Sequence, residues 1–269
     1  MHFAAALRSR QALIGYWVSS DSAAIAERLA SVGYDYICLD LQHGLLDYPG
    51  VLRGLTAVAA GGAAAAGGSA GGVAGVAGIV RVPPGDPAWI GRALDAGARG
   101  VIVPLVSTAE QAVAAVGACR YPPAGQRSFG PVRSALAIGP APRAADDQVA
   151  CIVMIETAEG LANAAAICAV PGVDAVYVGP SDLSISMGAD DPVAGWARPE
   201  FAQALAGIRS AAQAAGIGCG MHCSDGEAGA RFLADGFTFV SISSDLTHIH
   251  AAGRAHLARA RGGPGTGPA

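Results

Sequence analysis

The sequence predicts an α/β fold of the (β/α)8 TIM-barrel class, and three observations carry that expectation. Short, continuously apolar, β-prone runs alternate with Ala-rich helical stretches; eight such runs can be counted; and polar residues gather just past their C-terminal ends. Continuous apolar runs mark parallel strands covered on both faces, and eight of them within 269 residues favour closure over an open sheet. An open doubly wound sheet is the competing topology, but no GxGxxG follows the first strand to support it.

The first strand is Leu13–Val18 (LIGYWV), followed by an Asp21/Ser22 cap signal and an amphipathic helix over Ala23–Val32. Asp35–Asp40, Gly78–Val82 and Gly100–Val106 repeat the unit in the first half. Cys151–Glu156, Asp174–Gly179, Ile217–His222 and Phe237–Ser243 complete the count in the second. Residues 1–261 read as one domain. Within it, the Ala/Gly-rich stretch 61–78 is expected to be a mobile loop, because glycine-rich chain cannot offset its ordering entropy by packing. GGPGTGPA at 262–269 is expected to be a disordered tail.

Bulk properties exclude several roles. A net charge of −4, from 21 acidic and 17 basic residues, offers no basic face for nucleic acid or anionic lipid. The one long uncharged run, Leu55–Val80, is too broken by glycine and too poor in bulky residues to span a membrane, so a cytoplasmic protein is expected. The six cysteines lie in apolar segments, as reduced core thiols do. Cys219, His222 and Cys223 invite a zinc reading, but a fourth ligand is missing, and buried thiols are the better account.

In a barrel the C-terminal strand ends converge on one mouth. Glu156 directly follows the apolar run Ile152–Ile155, where a carboxylate is costly unless it meets a cation. Asp182 follows the next strand, and two such carboxylates suit an octahedral divalent ion with positions left for water and substrate oxygens. A salt bridge for Glu156 and a helix N-cap for Asp182 are the structural alternatives. His43, in the loop after Asp40, suits proton exchange near neutral pH, or else a structural hydrogen bond. Arg81 lies inside an apolar strand and needs an anion, either a permanent carboxylate or a substrate oxyanion.

Beyond these single residues, the chain resembles the HpcH/HpaI family of class II pyruvate aldolases, the 4-hydroxy-2-oxoheptane-1,7-dioate aldolase family, over residues 11–258. The likeness rests on IGYWVSS at Ile14–Ser20, LDLQHG at Leu39–Gly44, VRVP at Val80–Pro83 and LDAGARGVIVP at Leu94–Pro104. RYPPAGQRSFGP at Arg120–Pro131, IET at Ile155–Thr157 and GPSDLS at Gly179–Ser184 follow in order. The resemblance implies a barrel of the phosphoenolpyruvate/pyruvate-binding type in which Glu156 and Asp182 hold a divalent metal (Mg, Mn or Co). It further implies that backbone amides near Ser181 and Asp182 meet the substrate carboxylate. His43 would be the acid/base residue acting with Asp95, and Arg81 would stabilise the enolate oxygen of pyruvate. The implied assembly is a homohexamer, a trimer of dimers that exchange a C-terminal helix, here around Asp245–Ala258. The implied reaction is reversible cleavage of a 4-hydroxy-2-oxo acid to pyruvate and an aldehyde. No lysine occurs anywhere in the sequence, which excludes a lysine Schiff-base aldolase.

Two residues depart from the family pattern: Gln42 stands where many members carry Glu, and Met154 where Gln is frequent. A CoA-ester lyase of the citrate lyase β-subunit type, an oxaloacetate decarboxylase and a non-catalytic barrel are the other readings. No clear basic cluster for CoA is visible, and the joint presence of His43, Arg81, Glu156 and Asp182 argues against an inert barrel.

Overall fold

The strand segments are rich in Val, Ile and Tyr, whose branched and aromatic side chains fit a pleated surface buried on both sides. The computed structural model describes residues 1–65 and 75–262. In chain order the elements are α1 (Phe3–Arg8), β1 (Leu13–Val18), α2 (Ala23–Ala30), β2 (Tyr36–Asp40), α3 (Tyr48–Ala65), β3 (Ala77–Arg81), α4 (Pro87–Asp95), β4 (Gly100–Val103) and α5 (Ala109–Cys119). They continue with α6 (Ser134–Ala137), α7 (Pro142–Gln148), β5 (Ala150–Ile155), α8 (Ala158–Ala162), α9 (Ala164–Cys168), β6 (Ala175–Val178), α10 (Pro180–Ser186) and α11 (Pro192–Gly195). The chain ends with α12 (Pro199–Ala215), β7 (Gly218–Cys223), α13 (Gly226–Ala234), β8 (Phe239–Ser244) and α14 (Asp245–Ala260). The strands pair in parallel in sequence order and β8 returns to β1, closing the expected barrel.

The first strand has the expected limits, and the others differ from theirs by one to three residues at one or both ends: β4 stops at Val103, while β7 and β8 run one residue further, to Cys223 and Ser244. The stretch expected as a loop, 61–78, is shorter at both ends: residues 61–65 finish α3, and Ala77 and Gly78 open β3. The rest of that expectation, at 66–74, lies outside the described residues, as does the tail expected from 263 onward. Among the described residues no helix is long and apolar enough to cross a membrane.

Side chains alternate between two packed layers. Outward-facing residues such as Val18, Leu39, Val80 and Val178 meet the helices, while Tyr36, Ile79, Ile152, Tyr177 and Phe239 fill the barrel interior. The interior is aromatic: Tyr177 packs against Trp17 at 5.8 Å and against Phe239 at 5.6 Å. Gly15 and Gly220 make room for these rings, since a Cβ at either would collide with Tyr36 or Phe239. Each fully buried ring of this kind contributes about 2–3 kcal/mol.

The sequence reading did not anticipate α1. Phe3 and Leu7, one helical turn apart, are buried beneath the barrel, Phe3 lying 5.5 Å from the Tyr36 ring. Arg8 then pairs with the buried Asp174 at 2.6 Å, and Arg120 reaches the other carboxylate oxygen at 2.9 Å. Helix α1 thereby covers the end of the barrel opposite the mouth. At the other extreme, α14 is fixed by its first turn only. Asp245 accepts hydrogen bonds from the Ser19 and Ser20 amides at 2.8 and 3.1 Å and from the Ser20 hydroxyl, and Tyr16 Oη lies 2.6 Å from His248 Nδ1. Further along, Ile249 and Leu257 are exposed.

Candidate active site

A cavity of about 280 Å³ opens at the C-terminal strand ends. Trp17, Met154 and Tyr177 line it from inside the barrel, and Asp40, His43, Arg81, Glu156, Ser181 and Asp182 bring their polar groups to it. A larger cavity, about 540 Å³, lies between α12 and α13 and meets the first at Trp196 and His222. Only the smaller one collects the carboxylates predicted from sequence.

Glu156 follows β5 and is 1% exposed. Its Oε1 accepts the Leu105 amide at 2.8 Å, whereas Oε2 is buried with no protein partner. Leu105 takes a left-handed conformation, φ 57°, to present that amide. Gly179 lies so close that a Cβ there would strike Oε2. Burial pushes the Glu156 carboxyl up to about 7; the Leu105 N–H opposes the shift, Asp182 adds to it and Arg81 opposes it. A buried carboxylate with one orphaned oxygen, beside a second carboxylate, fits a divalent cation. Among the described residues no cluster of three or more His, Cys, Asp or Glu ligands forms, so such an ion would need water or substrate to complete its coordination.

Asp182 is exposed in the first turn of α10. The N-cap position belongs to Gly179, with no side-chain cap, so the capping role open to Asp182 is not the one it takes. The Ser181 and Asp182 amides, in the first turn, have no carbonyl to meet within the helix.

Arg81 resolves its two alternatives in an unexpected way. Parallel register sets it beside Asp40, and Nε and Nη2 bind Oδ1 and Oδ2 at 2.9 and 2.6 Å. The permanent carboxylate is therefore present, yet the guanidinium still lines the cavity, 5.0 Å over the Trp17 ring. Asp40 Oδ1 also accepts the Gln42 and His43 amides at 3.1 and 3.2 Å, tying the His43 loop to Arg81. Burial alone would raise the Asp40 carboxyl; Arg81 outweighs it and holds the group below its ordinary value. The His43 side chain is exposed at the rim.

Asp95 is not brought to this cavity within one chain. It ends α4, and four residues on the Arg99 amide donates to Gly78 O at the start of β3 at 2.8 Å, so Asp95 lies toward the opposite end of the barrel. There it pairs with the buried Arg127 at 2.8 Å. Trp17, Tyr177 and Trp196 are among the cavity residues to which the sequence reading gave no role, and His222, read there as a weak zinc candidate and as the start of a loop that would read the aldehyde, reaches the cavity itself. The signal for His222 was present: in Gly220-Met221-His222 it shares the inward face with Gly220.

The model of the family described as HpcH/HpaI aldolase/citrate lyase matches residues 13–252. The chain belongs to that family. Its membership makes it a carbon–carbon lyase. A hydroxypyruvate/pyruvate aldolase of Rhizorhabdus wittichii is 38% identical over 253 residues, 94% of this chain and 95% of that protein. A 4-hydroxy-2-oxovalerate aldolase of Novosphingobium aromaticivorans is 39% identical over 254 residues, 90% of this chain and 92% of that protein. The crystal structure of a family protein from Burkholderia cenocepacia superposes with a TM-score of 0.82 at 32% identity, covering 96% of this chain and 98% of the other.

Proposed function

We propose that this enzyme cleaves a 4-hydroxy-2-oxo acid reversibly into pyruvate and an aldehyde, using a divalent ion (Mg, Mn or Co) held by Glu156 and Asp182. The observation that carries this reading is the buried Glu156, with an unpartnered oxygen, sharing one cavity with Asp182, Arg81 and His43. Relatives named as hydroxypyruvate/pyruvate and 4-hydroxy-2-oxovalerate aldolases support the substrate class.

When bound, the ion supplies Lewis-acid stabilisation of negative charge on the 2-oxo oxygen. The chain's own residues account for the rest. Arg81, aimed by Asp40, donates to the same developing oxyanion, and the free amides of Ser181 and Asp182 receive the substrate carboxylate. His43 takes the proton of the C4 hydroxyl as the C3–C4 bond breaks. The electron pair passes to C3, giving the pyruvate enolate, and the aldehyde departs; a proton returned to C3 completes pyruvate. Trp17, Met154 and Tyr177 exclude water beneath the reacting carbons.

We further propose a homo-oligomer, a hexamer built as a trimer of dimers, in the cytoplasm. Supporting this are the exposed apolar side chains of Leu246, Ile249 and Leu257 on α14 and of Phe129, Val132 and Leu136 near α6, together with six free buried cysteines. The role that the family resemblance gives Asp95 beside His43 would then be filled from a neighbouring subunit. The deciding experiment is pyruvate release from 4-hydroxy-2-oxo acids before and after chelation. Loss with EDTA and recovery with Mn²⁺ or Mg²⁺ is expected; full activity after thorough chelation would overturn the metal role.

A further inference from the structure

β7 brings a second histidine to the cavity, and the chemistry above gives it no task. Along β7, Cys219, Met221 and Cys223 pack outward against the helices, while Gly220 faces the Tyr177 and Phe239 rings inside the barrel. His222 stands on that inner face, one layer above those rings. β7 is four strands round the closed ring from β3, so His222 lies across the cavity from Arg81. Its ring meets the Trp17 indole edge-on at 5.2 Å. It lines the cavity, and among the described residues neither ring nitrogen has a hydrogen-bond partner.

Two further facts give this ring a ligand. First, burial, and after it the Arg81 charge, lower its pKa to about 4, so the neutral imidazole offers one N–H and one lone pair to the cavity. A ligand that displaces water from this imidazole without offering it a polar group costs roughly 1–3 kcal/mol, a cost that a ligand hydroxyl avoids. Second, Glu156, Asp182 and Arg81 take the pyruvate half of the substrate, whereas His222 and Trp196 border the larger cavity, the direction in which the remainder can extend.

Resting on the aldolase reading, we infer that His222 is the specificity-determining residue for the aldehyde. It hydrogen-bonds a hydroxyl on the aldehyde-derived half, so that hydroxyaldehydes are preferred to alkyl aldehydes of equal length. A site built to pair with a hydroxyl discriminates strongly against the analogue lacking it, because its own polar group is then left unsatisfied.

The test compares wild type with His222→Leu in the synthetic direction, with pyruvate, Mn²⁺ and either lactaldehyde or propanal. One hydrogen bond of this kind gives a wild-type preference for lactaldehyde of about tenfold or more in kcat/KM. In His222→Leu the ratio falls to about unity, with lactaldehyde losing and propanal gaining. His222→Gln, which keeps a donor and an acceptor, restores most of the preference. Oxaloacetate decarboxylation passes through the same enolate without an aldehyde, and it should be nearly unchanged in both variants, which also shows that they fold. An unaltered lactaldehyde-to-propanal ratio in His222→Leu, or a wild type with no preference, overturns this inference and leaves the aldolase reading standing. A wild type that condenses pyruvate with no aldehyde at all overturns both.

Discussion

Asp40 is the hinge of the site's polar architecture, and its removal has a cost that can be worked out in advance. Asp40→Ala deletes both bonds to Arg81 and both loop bonds, to the Gln42 and His43 amides. Breaking a dry ion pair by deleting one partner costs about 3–5 kcal/mol. The two side chains are 11% and 3% exposed, and Arg81 edges the cavity, so water can reach the stranded guanidinium and the lower end applies. The two loop bonds add about 0.5–1 kcal/mol each. A total near 4 kcal/mol, at about 2 °C per kcal/mol for a chain of this size, lowers Tm by about 8 °C. Asp40→Asn keeps one acceptor oxygen, enough for the Gln42 and His43 amides and Arg81 Nε, but turns an NH2 donor toward Nη2; it should lose about half as much. Thermal unfolding followed by circular dichroism at neutral pH in EDTA reads this directly. Catalysis should fall about a hundredfold in the Ala variant, because Arg81 and His43 both lose their aim. The pH dependence has a fixed sign: the Asp40 carboxyl is held below its ordinary value, so its contribution is present above that value and disappears as the pH drops through the lowered one. An Ala variant that melts with the wild type would refute the whole chain of reasoning.

Two other perturbations test the site's electrostatics. Glu156 carries a pKa raised to about 7, so its ionised form weakens the metal-free protein as pH rises through that value. Glu156→Gln should therefore abolish pyruvate release yet stabilise the metal-free protein by about 1–3 kcal/mol at pH 8, with little gain at pH 5; equal effects at both pH values in urea melts would contradict it. His222 has the opposite linkage: its lowered pKa means that stability is complete above pH 6.5 and is lost as the pH falls toward about 4. Discounted for its open face on the cavity, that loss is about 2 kcal/mol. His222→Leu should show a correspondingly flatter acid limb, and parallel wild-type and variant curves would count against it.

The barrel was legible because its strands are buried on both faces, which leaves eight unbroken apolar runs that no other soluble architecture explains as well. The residues at the strand ends could be named for the same reason: Glu156 and Arg81 stand out against apolar neighbours. What the sequence hid were relations between segments. The Asp40–Arg81 pair joins residues 41 positions apart through a register that local pattern does not encode. Asp95 was tied to His43 by resemblance, but helix α4 carries it toward the far end of the barrel before it can meet anything at the mouth. Helix α1 was overlooked because its apolar face amounts to little more than Phe3 and Leu7, too short a period to register.

That short helix sets the order of molecular traffic. With Phe3 sealed against Tyr36 below and aromatic rings filling the middle of the barrel, the closed end offers no passage among the described residues, and whatever reaches Glu156 and Arg81 enters and leaves from the mouth side. A fragment held at depth between Glu156 and Arg81 cannot pass one still lodged nearer the rim. Departure becomes a queue, last in and first out, and the rhythm of turnover is imposed as much from the closed end of the barrel as from the open one.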